Sequence, residues 1–336
     1  MKMKIALPLV AASLVPAAAA HAQVPTSPQP SPPPPTTPAP APPAPAAAKI
    51  AVRFGSGISE RGHQFVVQGD RLVVRGRLKP FVPGQKVVVS VYRKGKLAAR
   101  KGGKVHRGSG AGEFQVVVRL KRAGSYGLRV KHDGNSKQAA AASKRIGVTA
   151  IVPSAHSGSS GISVRLLQLG LARLAYVTSR SGHFDDATGR AVIAYRKVNG
   201  MARIPSANRA IFERLFAGRG GYRLRYPRAG KHVEFDWSRQ VLVLADHGAP
   251  ERIYHASSGK PSTPTVFGTY RFYSKTPGTN AKGMVDSNYF IRGYAIHGYA
   301  EVPTYAASHG CIRVPVPNAA SIYGWISLGD RIFVYR

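Results

Sequence analysis

Between residues 49 and 150 apolar and polar positions alternate, as in "RLVVRGRL", "QKVVVSVYRK", "EFQVVVRLK" and "GSYGLRVKH". Successive side chains of a strand point to opposite faces, so a period of two predicts strands buried on one side. Turn-forming Gly, Pro and Asp separate the runs at roughly regular spacing, which predicts an all-β sandwich or barrel. From Ile162 the period lengthens. Val164, Leu167, Leu171 and Leu174 recur at three and four residues, the spacing of a helix with one apolar stripe. Asp185-Asp186 can cap a second helix that carries Val192, Ile193 and Tyr195 and ends at Asn199-Gly200. Ser206 can cap a third, with Ile211, Phe212, Leu215 and Phe216, ending at Gly218. Residues 162–220 therefore read as a small three-helix bundle. Strands return from about Lys231. "HVEFDWSRQVLVLADHGAPERIYHASSG" reads as strands about a turn at Asp246-His247-Gly248, and "FGTYRFYSK", "NYFIRGYAIHG" and "DRIFVYR" follow. Helical signal is confined to Asn318–Trp325, so 221–336 is predicted to be a mostly-β domain.

The segments between these patterns complete a multidomain plan. Lys2 and Lys4, the apolar run Ile5 to Pro16 and the small-x-small Ala20-His21-Ala22 predict an export signal over residues 1–22. Its apolar run falls short of the ~20 residues a membrane span needs. Cleavage would leave no transmembrane anchor, and the mature protein is expected in the periplasm or cell wall. Residues 23–48 are rich in proline, which fixes φ and lacks the backbone donor, so a semi-rigid polyproline spacer is expected. "SAHSGSSG" marks a flexible linker within 151–161.

Charge narrows the partners. Lys and Arg number 49 against 14 acids, a net +35, and residues 49–150 carry roughly +19 of it. Such an excess attracts polyanions. Export argues against nucleic acid. What remains is either a basic surface without a specific ligand or retention on an anionic cell-wall polymer through the basic β-domain.

Cys311 is the only cysteine, so no internal disulfide can form and the domains must be held by their cores. It lies in "AIHGYAEVPTYAASHGCIRV", two residues after His309 and fourteen after His297. A thiol becomes a nucleophile only as thiolate, which calls for a nearby base, and a third group normally orients that base. A strand ending at His297 and a loop returning through Pro303 can bring His297 to the thiol. Gly310 lets the backbone pack closely and aim N–H groups at an oxyanion. Two histidines and one cysteine fall short of a zinc set, and no carboxylate completes it, so neither metal nor cofactor is expected. A buried inert cysteine is the remaining alternative.

"IHG" followed by "SHGCIRV" resembles the catalytic signature of the L,D-transpeptidases of the YkuD type, and "YHASSGKPSTPTVFGTYRFYSKTPG" and "NYFIRGYAIHG" extend the resemblance over about 231–336. It implies a peptidoglycan enzyme acting on donor and acceptor stem peptides. Cys311 would be the nucleophile, His297 the proton donor and acceptor, and the Gly298 carbonyl its orienting group. Ser308, His309 and Gly310 would shape the pocket, with the Gly310/Cys311 backbone as oxyanion hole. Arg313 would hold a substrate carboxylate or make a structural ion pair. Tyr289 and Arg292, on the strand leading to His297, would line the donor groove. The implied product is a 3→3 cross-link; water in place of the acceptor amine would give an L,D-carboxypeptidase, and a degenerate site would leave a wall-binding protein. Two weaker resemblances accompany it. Phe114 to Val130 is similar to the closing strands of bacterial immunoglobulin-like modules. "FDDATGRAVIAYRKVNG" resembles the peptidoglycan-binding helical module of wall hydrolases, which here is either a binding unit or a folded spacer.

Overall fold

A computed structural model describes residues 44–336, which belong to the same unit. The expected signal at 1–22 and most of the expected spacer at 23–48 lie outside the described residues. In the first part of the unit run β1 (Lys49–Phe54), β2 (Ile58–Glu60), β3 (His63–Val67), β4 (Arg71–Lys79) and β5 (Lys86–Arg93). β6 (Lys96–Arg107), β7 (Gly112–Arg119), β8 (Gly124–His132), β9 (Ala141–Ala142) and β10 (Ile146–Ile151) follow. The strand order is β1-β4-β7-β6-β5-β8-β10-β3-β2. β6 is long enough to serve two layers: Lys96 to Lys104 pair with β5, and Val105 to Arg107 pair with β7. The alternation seen in the sequence sets the core between the layers. Leu72, Val74 and Leu78 of β4 and Phe114, Val116 and Val118 of β7 share one cluster with Val87, Val89 and Val91 of β5 and Leu128 and Val130 of β8.

Residues 151–161 depart from the expected flexible linker. Ala155 is buried, and β11 (Ala155–His156) pairs with β12 (Ser206–Ala207). The glycines and serines that suggested flexibility serve tight turns around this pairing. α1 (Ile162–Arg173), α2 (Asp186–Val198) and α3 (Arg209–Phe216) fall at the expected positions. Asp185 caps α2: its Oδ1 accepts from the Thr188 N–H at 2.8 Å and the Thr188 hydroxyl at 2.7 Å. Asp185→Ala is expected to lower the unfolding free energy by about 1–2 kcal/mol, read from denaturant midpoints. The cap of α3 is Asn208, not Ser206, because β12 pairing draws Ser206 into a strand two residues earlier.

The last part holds β13 (His232–Asp236), β14 (Val241–Asp246), β15 (Ala249–His255), β16 (Gly268–Arg271), β17 (Ser274–Thr279), β18 (Val285–Ile291), β19 (Tyr294–Tyr299), β20 (Ile312–Pro315), α4 (Val316–Trp325) and β21 (Arg331–Tyr335). One sheet runs β15-β14-β13-β21-β16 and the other β17-β18-β19-β20. β14 explains how the parts join. Its odd-numbered residues Val241, Val243 and Ala245 belong to a core shared with Leu167, Leu171, Tyr195 and Phe212 of the helices and Phe65 and Val67 of β3. Its even-numbered Leu242 and Leu244 face the other way, into a core with Ile296, Ile312, Val314 and Ile322. A strand covered on both faces reads as an unbroken apolar run, as "VLVLA" does.

Candidate active site

β19 and β20 run parallel, with Ile296 opposite Ile312, His297 opposite Arg313 and Gly298 opposite Val314. Cys311 immediately precedes β20. Because side chains alternate along both strands, Cys311 falls on the face that carries His297 and Arg313, one step diagonally from His297. α4 follows β20 directly and packs over β19. A Cβ on Gly298 would lie 2.7 Å from the Ala319 Cβ, so the glycine after the histidine is set by this close approach.

His297 is buried, and its Nδ1 lies 2.8 Å from the Gly298 carbonyl oxygen. A carbonyl only accepts, so Nδ1 carries the proton and Nε2 keeps its lone pair. Burial pulls the His297 pKa below its ordinary 6.5, opposed by the Gly298 contact and aided by the Arg313 charge. The imidazole is therefore neutral at pH 7, the form that can take a proton. Burial likewise pushes the Cys311 thiol above its ordinary 9.0, offset in part by the Ala295 amide and the charges of Arg313 and Lys282. The Cys311 Sγ lies 3.7 Å from the Gly293 carbonyl oxygen. At rest, Cys311 is thus a thiol and His297 a neutral imidazole.

The turn before Cys311 is held from within and from outside. The Ser308 hydroxyl donates to the Cys311 carbonyl at 2.6 Å and accepts from the Gly310 N–H at 3.1 Å. That bond occupies the Gly310 N–H, so an oxyanion at this turn would compete with Ser308 for it. Gly310 has φ +118°, and a Cβ there would sit 2.2 Å from Tyr294 Cε1. Gly310→Ala is expected to displace the Tyr294 ring and the thiol, adding roughly 1–3 kcal/mol of backbone strain. A lowered melting temperature together with slower alkylation of Cys311 would show it.

Outside the turn stands the segment "SSGKPSTPT", 257–265. Ser257 exchanges backbone bonds with Arg313 at 2.9 and 2.8 Å, and the Ser258 carbonyl accepts the Ala307 and Ser308 N–H groups. The buried Thr265 hydroxyl donates to the Gly310 carbonyl at 2.6 Å. Sequence reasoning missed these residues, although their run of small hydroxyl side chains was the available signal.

The other expected residues scatter around this centre. His309 is exposed on the loop. The Arg313 guanidinium lies 4.0 Å over the Tyr299 ring and makes no ion pair among the described residues, so its donors remain available to an anion. Tyr289 is half-buried on β18, opposite Ala295. Arg292 is not on the strand with His297. It has φ +50° and, with Gly293, turns β18 back into β19, so "NYFIRGYAIHG" is a hairpin rather than one strand. Arginine rarely adopts this conformation, which hid the turn. Among the described residues the grouping with metal-ligand spacing is Asp246, His247 and Glu251, on the β14–β15 hairpin.

Comparison with known proteins bears on the family of the chain. A sequence profile of the L,D-transpeptidase catalytic domain (YkuD) matches residues 230–334. The crystal structure of an L,D-transpeptidase from Xylanimonas cellulosilytica (its residues 123–326) is 32% identical, covering 55% of this chain and 98% of that one, with a TM-score of 0.51. An L,D-transpeptidase from Stackebrandtia nassauensis is 19% identical over 55% of this chain and 98% of its own, with a TM-score of 0.35. One from Mycobacterium smegmatis is 14% identical over 86% and 99%, with a TM-score of 0.29. No curated protein matches the chain. With its catalytic segment matched and nearly the whole length of a 32%-identical relative covered, the chain belongs to the L,D-transpeptidase family.

Proposed function

We propose that the protein is an exported peptidoglycan L,D-transpeptidase that forms 3→3 cross-links through a thioester on Cys311. The observation that carries this reading is the His297 ring, neutral, fixed through Nδ1 on Gly298 and sharing a sheet face with the only thiol. Cys311 Sγ attacks the carbonyl between the third-position diamino acid and the terminal D-alanine of a donor stem as its proton passes to His297 Nε2. The C–N bond then breaks, and the leaving D-alanine amine takes that proton. The acceptor's side-chain amine attacks the thioester, gives its excess proton to His297, and expels the thiolate, which recovers the proton. Arg313, with open donors above Tyr299, would receive a stem carboxylate; Tyr289 and Arg292 flank the approach.

The remaining parts would anchor this chemistry on the wall. The Tyr126 hydroxyl donates to the Arg122 carbonyl at 2.7 Å, the corner found in immunoglobulin-like sandwiches, which supports that reading of 49–150. The same domain sets like charges directly opposite each other: Lys49 against Lys79, Arg53 against Arg75, Arg71 against Arg119. Such pairs are destabilising by themselves, which favours an anionic wall polymer as their partner. The helices would contribute peptidoglycan affinity.

The test is product analysis by mass spectrometry after incubating purified protein with disaccharide-tetrapeptide. A dimer linked 3→3 with release of D-alanine is expected. Release without dimer would make the protein a carboxypeptidase, and neither product would leave it a wall-binding protein.

A further inference from the structure

The loop 300–311 joins His297's strand to Cys311, and side chains from outside that pair of strands hold its carbonyls. Two of these holds lead back to the helices. Lys197, on the last turn of α2, is buried, and its Nζ lies 3.0 Å from the Gln240 carbonyl oxygen, 2.8 Å from that of Ala256 and 2.7 Å from His255 Nδ1. His255 Nε2 in turn lies 2.9 Å from the Val302 carbonyl oxygen. A carbonyl only accepts, so Nε2 carries the His255 proton and Nδ1 accepts from Lys197. Burial lowers Lys197 to about 6 and His255 to about 3, so the pair takes up a proton on the lysine first and the imidazole stays neutral. Arg203, just beyond α2, donates directly to the Thr304 carbonyl. Gln240, which Lys197 grips, holds Ser258 through both ends of its amide, and Ser258 carries Ala307 and Ser308. Gln240 does so at φ +57°, a strained conformation for a non-glycine residue.

We propose that the helical segment is part of the catalytic machinery: Lys197, acting through His255, and Arg203, acting directly, are positioning residues for the loop that joins the base to the nucleophile. The segment is then not a detachable wall-binding unit. This rests on the transpeptidase reading, so the test has one arm that does not use turnover.

In the full-length protein, His255→Leu removes both polar contacts, His255→Gln retains a donor and an acceptor, and Arg203→Ala removes the Thr304 contact. Stem-peptide turnover is expected to fall about tenfold to 10²-fold in His255→Leu and Arg203→Ala, the scale of a small misplacement of reacting groups. His255→Gln should keep most of the activity. Alkylation of Cys311 by iodoacetamide at about pH 10, where solvent rather than His297 supplies the thiolate, should stay near wild type in all three. Equal turnover in the Leu and Gln variants would overturn the proposal, as would a parallel fall of turnover, alkylation and melting temperature. If His255→Leu does not fold, Arg203→Ala, altering a half-buried side chain, decides the kinetic arm. Independently, 15N spectra of histidine-labelled wild type at pH 7 should show His255 as the neutral Nε2–H tautomer. An Nδ1–H tautomer would sink the relay even if the enzyme is active. A wild type without turnover but with the expected tautomer would count against the transpeptidase reading instead.

Discussion

Cys311→Ala is expected to release no D-alanine from a tetrapeptide stem, to make no cross-linked dimer and to form no adduct with a carbapenem in intact-mass spectra. Wild type should give all three. Loss of a covalent nucleophile costs on the order of 10⁴–10⁶ in kcat, because the remaining groups cannot form the acyl intermediate by another route. No other thiol is present to substitute. The substitution should leave the fold intact. Cys311 is half-buried, its sulfur lies 3.7 Å from the Gly293 carbonyl oxygen and near the Ala295 amide, and the turn around it is held through Ser308, Thr265 and the Gly310 backbone rather than through the thiol. An unchanged melting temperature with complete loss of acylation is therefore the specific outcome. Turnover by Cys311→Ala, or a carbapenem adduct on another residue, would place the nucleophile elsewhere.

The centre of this site was legible in the sequence because its residues are close along the chain. His297, Gly298, Ser308, Gly310 and Cys311 lie on two neighbouring strands and the loop between them, so local spacing offers them together as candidates, while the choice of His297 over His309 and the role of Gly298 rest on the family resemblance. Strand and helix positions were legible for a similar reason, since periods of two and three to four report burial of one face. What escaped depends on contacts between distant segments. Thr265 reaches the Gly310 carbonyl across the fold, and no local pattern marks a hydroxyl for that task. The turn at Arg292 needed a positive φ in a residue that seldom adopts one. The packing of helices on the catalytic sheet was written in β14, where "VLVLA" has no polar position to face water. An apolar run alone, however, does not say what covers each side. The linker at 151–161 misled because glycine and serine serve tight turns as well as flexible tethers.

His297→Gln should change both the rate and its pH dependence. In wild type the imidazole pKa lies below 6.5 and the thiol pKa above 9.0, both driven by burial. Protonated His297 cannot accept the thiol proton, so activity should rise as pH increases through the His297 pKa. Above it, the rate should be level through neutral pH, because the base is already neutral and the thiol is still protonated. General base catalysis by a placed side chain contributes about 10²–10⁴, so His297→Gln should lose that much at pH 7. The residual rate then depends on thiolate formed by solvent alone. With the thiol pKa raised, that fraction is small at pH 7 and grows tenfold per pH unit. An amide side chain in place of the imidazole would also be unable to relay a proton to the departing amine. The variant should accordingly replace the neutral plateau by a rate that climbs steadily toward pH 9, measured as carbapenem acylation of Cys311 so that one chemical step is read. A level profile in the variant would mean that His297 is not the proton acceptor. A wild-type profile that itself climbs with unit slope through neutral pH would mean that the thiol ionises before attack, without transfer to the imidazole.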